Sequence, residues 1–113
     1  MSLKYAYHGI AVYEIIDNGR ILSGISANNS LSPTLILSDI AIKQGGQSLD
    51  TLSGKYDACV MDVENNKEVV VRCELTITLR PDNTYNFVWR DRWEGIGFKS
   101  GNNHVSVSYS HPL

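Results

Sequence analysis

Apolar and polar residues alternate with period two through most of this chain. The cleanest case is residues 68–80, EVVVRCELTITLR. Val69, Val71, Cys73, Leu75, Ile77 and Leu79 share one face, while Glu68, Val70, Arg72, Glu74, Thr76, Thr78 and Arg80 share the other. Successive side chains of a strand point to opposite sides of a sheet, so such a segment has one dry face and one wet face. The closing HVSVSY repeats the pattern, with Val105, Val107 and Tyr109 alternating with His104, Ser106 and Ser108.

Short turns separate these segments. Asp17-Asn18-Gly19-Arg20 contains Asn-Gly, the pair that best tolerates the positive φ angles of a type I′ hairpin, so strands near 5–16 and 20–27 should pair. Glu64-Asn65-Asn66-Lys67 is a second turn and Arg80-Pro81-Asp82-Asn83-Thr84 a third, with proline preset for the second turn position and asparagine tolerant of the left-handed region. A three-residue Pro-Asp-Asn loop sets Leu79 opposite Tyr85, Ile77 opposite Phe87 and Leu75 opposite Trp89, apolar on both sides. Ser100-Gly101-Asn102-Asn103, read as a four-residue loop, makes the last turn.

Residues 28–51 are ambiguous. Ser32-Pro33, then a largely apolar run, then Gly45-Gly46 fit a helix with proline in its first turn and a glycine stop. Leu35, Ile36, Leu37, Ile40 and Ile42 are aliphatic and partly β-branched in a short segment, which favours a strand. The expected strands then lie near 5–16, 20–27, 34–43, 53–63, 67–80, 84–90, 93–99 and 104–110. Eight antiparallel strands joined by hairpins predict an all-β, up-and-down β-barrel, which closes the sheet and leaves no edge; a β-sandwich is the alternative. A barrel of this strand number is filled by side chains or holds one small ligand.

Composition narrows the picture further. A length of 113 residues fits one domain, taken as 1–113, that buries a core without disulfides or metals. The hydrophobic fraction of 42% against 19% charged residues is that of a folded, soluble chain. A net charge of −2 with scattered basic residues argues against nucleic acid as a partner, and no apolar run reaches membrane-spanning length. The cytoplasm is the favoured compartment, with secretion after removal of a signal peptide left open, and no oligomeric state is implied.

The succession LSGKY at 52–56, LTI at 75–77, YNFVW at 85–89, WEGIGF at 93–98 and VSVSY at 105–109 resembles small bacterial domains of the avidin/lipocalin-like (calycin-type) barrel class. The resemblance covers roughly half of the chain. It implies an eight-stranded barrel with a ligand at one open end. The biotin-binding residues of true avidins do not carry over, because YAYHGIAVYEII lacks their tryptophan and their asparagine-glycine-serine pattern, and no lipocalin Gly-x-Trp opening occurs there.

Within WRDRWEGIGF, residues 89–98, two registers compete. If Asp91-Arg92 is a two-residue turn, Trp89 faces Glu94, and Trp89, Glu94, Ile96 and Phe98 point inward. Phe98 then lies opposite Val105, Ile96 opposite Val107 and Glu94 opposite Tyr109. In the other register Trp89 faces Trp93, and Gly95 and Gly97 point inward, making room for large rings. The first is preferred because Ile96 and Phe98 gain more from burial than glycine does. It places one carboxylate in an aromatic-lined mouth, the composition of many small-molecule sites. The plainer expectation for Glu94 is a rim salt bridge to Arg90 or Arg92.

Trp89, Glu94, Tyr109, Trp93, Tyr7 and Tyr13 are therefore the candidate ligand-binding residues. Tyr5, Tyr7 and Tyr13 share one face of the first strand, and barrel interiors of this size also need such rings simply as filling. His8, His104 and His111 lack neighbouring carboxylates at ligand spacing, so no metal is expected; His8 and His104 read as solvated and His111 as part of a tail. With an Asn65-Asn66 turn, Ala58 faces Cys73 and Cys59 faces Arg72, which keeps the cysteines on opposite faces as free thiols, whereas a three-residue loop puts them opposite each other. The shorter turn is preferred because Glu64 and Lys67 then pair across it. No carboxylate pair, metal set or activated nucleophile stands out, so the expectation is a non-catalytic barrel without a cofactor. Its partner is a small, partly apolar ligand at one open end, or alternatively a protein that docks on the outer face of a filled barrel.

Overall fold

The computed structural model describes residues 5–30, 36–45, 52–64, 67–90 and 93–112. They form eight strands: β1 (Tyr5–Ile16), β2 (Ile21–Asn28), β3 (Leu37–Lys43), β4 (Gly54–Glu64), β5 (Lys67–Leu79), β6 (Tyr85–Trp89), β7 (Glu94–Lys99) and β8 (His104–Pro112). Each pairs antiparallel with its neighbour in sequence, and β8 returns to β1, closing an up-and-down barrel. Among the described residues no helix is long and apolar enough to cross a membrane.

The ambiguous segment is a strand. Leu37 and Ala41 are buried while Ile36, Ile40 and Ile42 are exposed, a period-two pattern that a helix cannot produce. Residues 31–35, where the expected strand began and where the proline of the helical alternative falls, lie outside the described residues.

Two hairpin registers are those the turn residues predict, and the β1–β2 loop departs from its expectation. Leu79↔Tyr85, Ile77↔Phe87 and Leu75↔Trp89 are partners across β5 and β6, with Asn83 at φ 67° in the loop between them. Across β4 and β5, Glu64 pairs with Lys67, Ala58 with Cys73 and Cys59 with Arg72, so the cysteines lie on opposite faces and form no disulfide with each other. Between β1 and β2, Asp17, Asn18 and Gly19 are all left-handed. The first partners are Ile16↔Ile21, so this loop spans four residues and β2 starts one residue later than expected.

The β6–β7 hairpin corrects the preferred register. Val88 pairs with Glu94, Phe87 with Gly95 and Tyr85 with Gly97, while the Trp89 amide donates to the Trp93 carbonyl at 2.8 Å. Trp89 therefore faces Trp93, and the two glycines point inward. Glu94, Ile96 and Phe98 are exposed. Across β7 and β8, Gly95 rather than Glu94 meets Tyr109, Gly97 meets Val107, and Lys99 meets Val105. The last turn holds three residues, because the Ser100 amide donates to the His104 carbonyl at 2.9 Å. The reason is volume. A Cβ on Gly97 would lie 2.6 Å from Cε1 of Phe87, and one on Gly95 would lie 2.2 Å from the Ser108 carbonyl oxygen. Rings from β6 and β8 already fill that side of the barrel, and the strand between them supplies glycine.

One end of the barrel is plugged. Leu22, Leu52, Tyr56 and Val105 are fully buried there, and the Tyr56 hydroxyl lies 2.8 Å from the carbonyl oxygens of both Gly19 and Leu52, donating to one at a time. The strand ends at Asn28, Leu37, Trp89 and Glu94 gather at the opposite end, where the described residues leave a cavity open.

Candidate functional site

The open end is built on the inward phase of β1, β2 and β3. Tyr13 pairs with Gly24, and Gly24 pairs with Asp39 on its other side, so a residue without a side chain separates the phenol from the carboxylate. The Tyr13 hydroxyl reaches over it and donates to Asp39 Oδ2 at 3.0 Å. Ser26, two residues further along β2, donates to Oδ1 at 2.7 Å. Each carboxylate oxygen thus receives one protein hydroxyl and keeps acceptor capacity.

Asp39 lies in the wall of a cavity of about 90 Å³ that opens at this end. Ser26, Asn28, Ser30 and Tyr13 complete its polar side, Trp89, Trp93 and Tyr109 form its aromatic side, and Cys73, Val60, Val71 and Leu37 also line it. The aromatic side is a continuous run of tilted and edge-on ring contacts. Ring centroids are 5.4 Å apart for Trp89 and Tyr109, 5.3 Å for Trp93 and Tyr109, and 5.7 Å for Phe87 and Trp89. Tyr109 itself lies over Gly9 of β1, where a Cβ would come within 2.4 Å of the phenol ring. Glycine on the neighbouring strand thus lets the tyrosine lie flat along the wall.

Electrostatics follow from burial. Removal from water holds the Asp39 carboxyl above the usual carboxylate range, against the lowering pull of the Ser26 and Tyr13 hydrogen bonds. Burial first, then the Asp39 charge, pushes the Tyr13 phenol well above its ordinary value, and burial also raises that of Tyr109. A carboxyl that titrates higher in the native state than in the unfolded chain makes folding favour its protonated form. Its contribution to stability is therefore greatest below the ordinary carboxylate range and is lost as pH rises through the raised native value. Asp39→Asn should accordingly gain stability relative to wild type at neutral pH, and the gain should shrink as pH falls to about 3.5. Urea denaturation at the two pH values measures it; a gain independent of pH would contradict the assignment.

Four of the candidate residues, Trp89, Trp93, Tyr109 and Tyr13, converge on this cavity. Tyr7 stands outside its wall, stacked on Trp93 at 6.3 Å and partly exposed at the rim. Glu94 is not at the mouth. It is exposed on the outer surface, beside a shallow groove shared with Arg80, Asn86, Ile96 and Ser108, because the β6–β7 register turns its side chain away from the interior. No ion pair joins it to Arg90 among the described residues, and Asp91 and Arg92 lie outside them. His111 is not in a tail: it belongs to β8, pairs with Tyr7, and packs edge-on against Trp93 at 5.0 Å. His8 and His104 are exposed, as expected.

Sequence reasoning missed Asp39, Ser26 and Asn28. The signal was present in LSDIAIK. Once Leu37 and Ala41 are taken as the inward pair, Asp39 between them falls in the inward phase, whereas the isoleucines Ile40 and Ile42 fall in the other. Among the described residues no group of three or more His, Cys, Asp or Glu is arranged to hold a metal ion. No protein family, no curated protein and no solved structure matches this chain.

Proposed function

We propose that this barrel is a non-catalytic binding domain that takes a small, partly apolar ligand at its open end, as do barrels of the avidin/lipocalin-like class that the sequence resembles. The observation that carries the reading is the cavity of about 90 Å³ in which a carboxylate, oriented by two hydroxyls, faces an aromatic wall. Few, convergent polar groups among apolar ones are the usual make-up of a small-molecule site. A nucleophile and base within reach of each other would favour an enzyme instead. Here the polar side of the cavity is Asp39 with its two hydroxyl donors, Asn28 and Ser30, which suits recognition.

The chain contains two tryptophans, Trp89 and Trp93, and both line the cavity, so intrinsic fluorescence reports on this site. Titration of a small-molecule library, together with native mass spectrometry of the freshly purified protein, should reveal quenching or a co-purified mass. Neither appearing would overturn the reading.

A second reading, in which the outer face docks a protein, is favoured by a separate observation. Ile10, Val12, Ile25, Ile40 and Ile42 are exposed on three adjacent strands, with Val12 and Ile25 direct partners. Contiguous exposed apolar side chains commonly mark interaction surfaces. If a second copy covers this face, sedimentation velocity should show self-association that Ile25→Glu abolishes, whereas a monomer at all concentrations would count against it.

A further inference from the structure

We propose that the ligand is a small organic cation, a protonated amine whose ammonium group is received by Asp39 and whose body rests against Trp89, Trp93 and Tyr109. This deepens the reading of the open end as a ligand site and rests on it.

The charge balance of the cavity is the first argument. Asp39 is met by two neutral donors, Tyr13 and Ser26, and no lysine or arginine lines the cavity among the described residues. A carboxylate withdrawn from water without a cationic partner is costly, and the cost is relieved by whatever cation can enter. Both oxygens are held in fixed positions by those hydroxyls, and each keeps a lone pair for a further donor. A ligand therefore gains by presenting N–H groups here. One that presents an anion meets repulsion.

The aromatic wall is the second argument. Cations are attracted to the faces of indole and phenol rings, tryptophan most strongly, so Trp89, Trp93 and Tyr109 suit the same ligand charge that Asp39 does. The third argument is size. A cavity of about 90 Å³ has space for a head group of a few non-hydrogen atoms. The rest of the molecule would extend toward the rim, where Tyr7 and His111 pack on Trp93.

Three probes of matched shape test this by fluorescence and calorimetric titration: 2-phenylethylamine, 2-phenylethanol and 3-phenylpropanoate. The amine should bind at least about tenfold more tightly than the alcohol, with the carboxylate weakest. Asp39→Asn should remove the preference for the amine, bringing its affinity to within about twofold of that of 2-phenylethanol for the same variant. Should that variant fail to fold, the wild-type ranking decides alone. Equal binding of amine and alcohol, or tighter binding of the carboxylate, would overturn the cation while leaving the open end as the site. The same holds if none of the three binds but a neutral or anionic library molecule does. If nothing in the library binds, the site and the cation fall together.

Discussion

Replacing Phe87 with alanine should lower the free energy of unfolding by about 4 kcal/mol, the range in which deletion of a buried phenyl ring from a tightly packed core falls. Phe87 is wholly inaccessible, and its ring lies over Gly97 on one side and 5.7 Å from Trp89 on another. The backbone around it is locked in barrel ladders on both flanks, so the space left by the ring cannot easily collapse. Domains of this length have roughly 5–15 kcal/mol in total, so the loss would be a large part of the whole. Urea denaturation followed by far-UV circular dichroism would measure it. A change below about 1 kcal/mol would mean that the ring is not packed as described.

Alanine at Gly95 should cost about 3 kcal/mol, the upper part of the range for overpacking. Its Cβ would stand 2.2 Å from the Ser108 carbonyl oxygen and 2.7 Å from the Cα of Tyr109, both backbone atoms, so no side-chain rotation relieves the contact. β7 and β8 must move apart instead. Because Tyr109 forms part of the cavity wall, the same substitution should weaken binding at the open end along with stability. Alanine at Gly45, where nothing among the described residues lies within 4 Å, is the matched control and should change stability by less than about 0.5 kcal/mol. Equal effects at the two positions would show that the loss at Gly95 is one of propensity and not of space.

These two residues also explain how the first reading of WRDRWEGIGF went astray. Burial preference assigned Ile96 and Phe98 to the interior, which carried Glu94 inward with them. What decides the phase of a strand is the space its neighbours leave, and opposite β7 that space is occupied by Phe87, Tyr109 and Val107. The turn gave no counterweight. Asp91-Arg92 lacks the glycine or asparagine that marks a two-residue hairpin, whereas Asn65-Asn66 and Pro81-Asp82-Asn83 carry turn chemistry that specifies loop length. The registers expected at those two turns are the ones observed, down to Ala58 opposite Cys73 and Ile77 opposite Phe87.

The candidate site was legible to the same degree. Trp89, Trp93, Tyr109 and Tyr13 could be named because large aromatic residues in strand phases must go somewhere inside or at the rim of a small barrel. Asp39 could not be placed beside them, since its partners come from two other strands, Tyr13 reaching it across Gly24 and Ser26 from the adjacent strand. The mouth does hold a carboxylate next to tryptophan and tyrosine, but it is Asp39 in place of Glu94.

By itself the sequence determined the alternation and the turn positions, and it favoured eight antiparallel strands over a central helix, a barrel over a sandwich, and cysteines on opposite faces over cysteines facing each other. All of these follow from period-two alternation and turn chemistry, which act over a few neighbouring residues. Only the tertiary structure decided which face of β7 turns inward and which carboxylate enters the cavity. A shift of one residue exchanges the two faces of a strand at no local cost, so the choice is made by the volume left among rings contributed by distant strands.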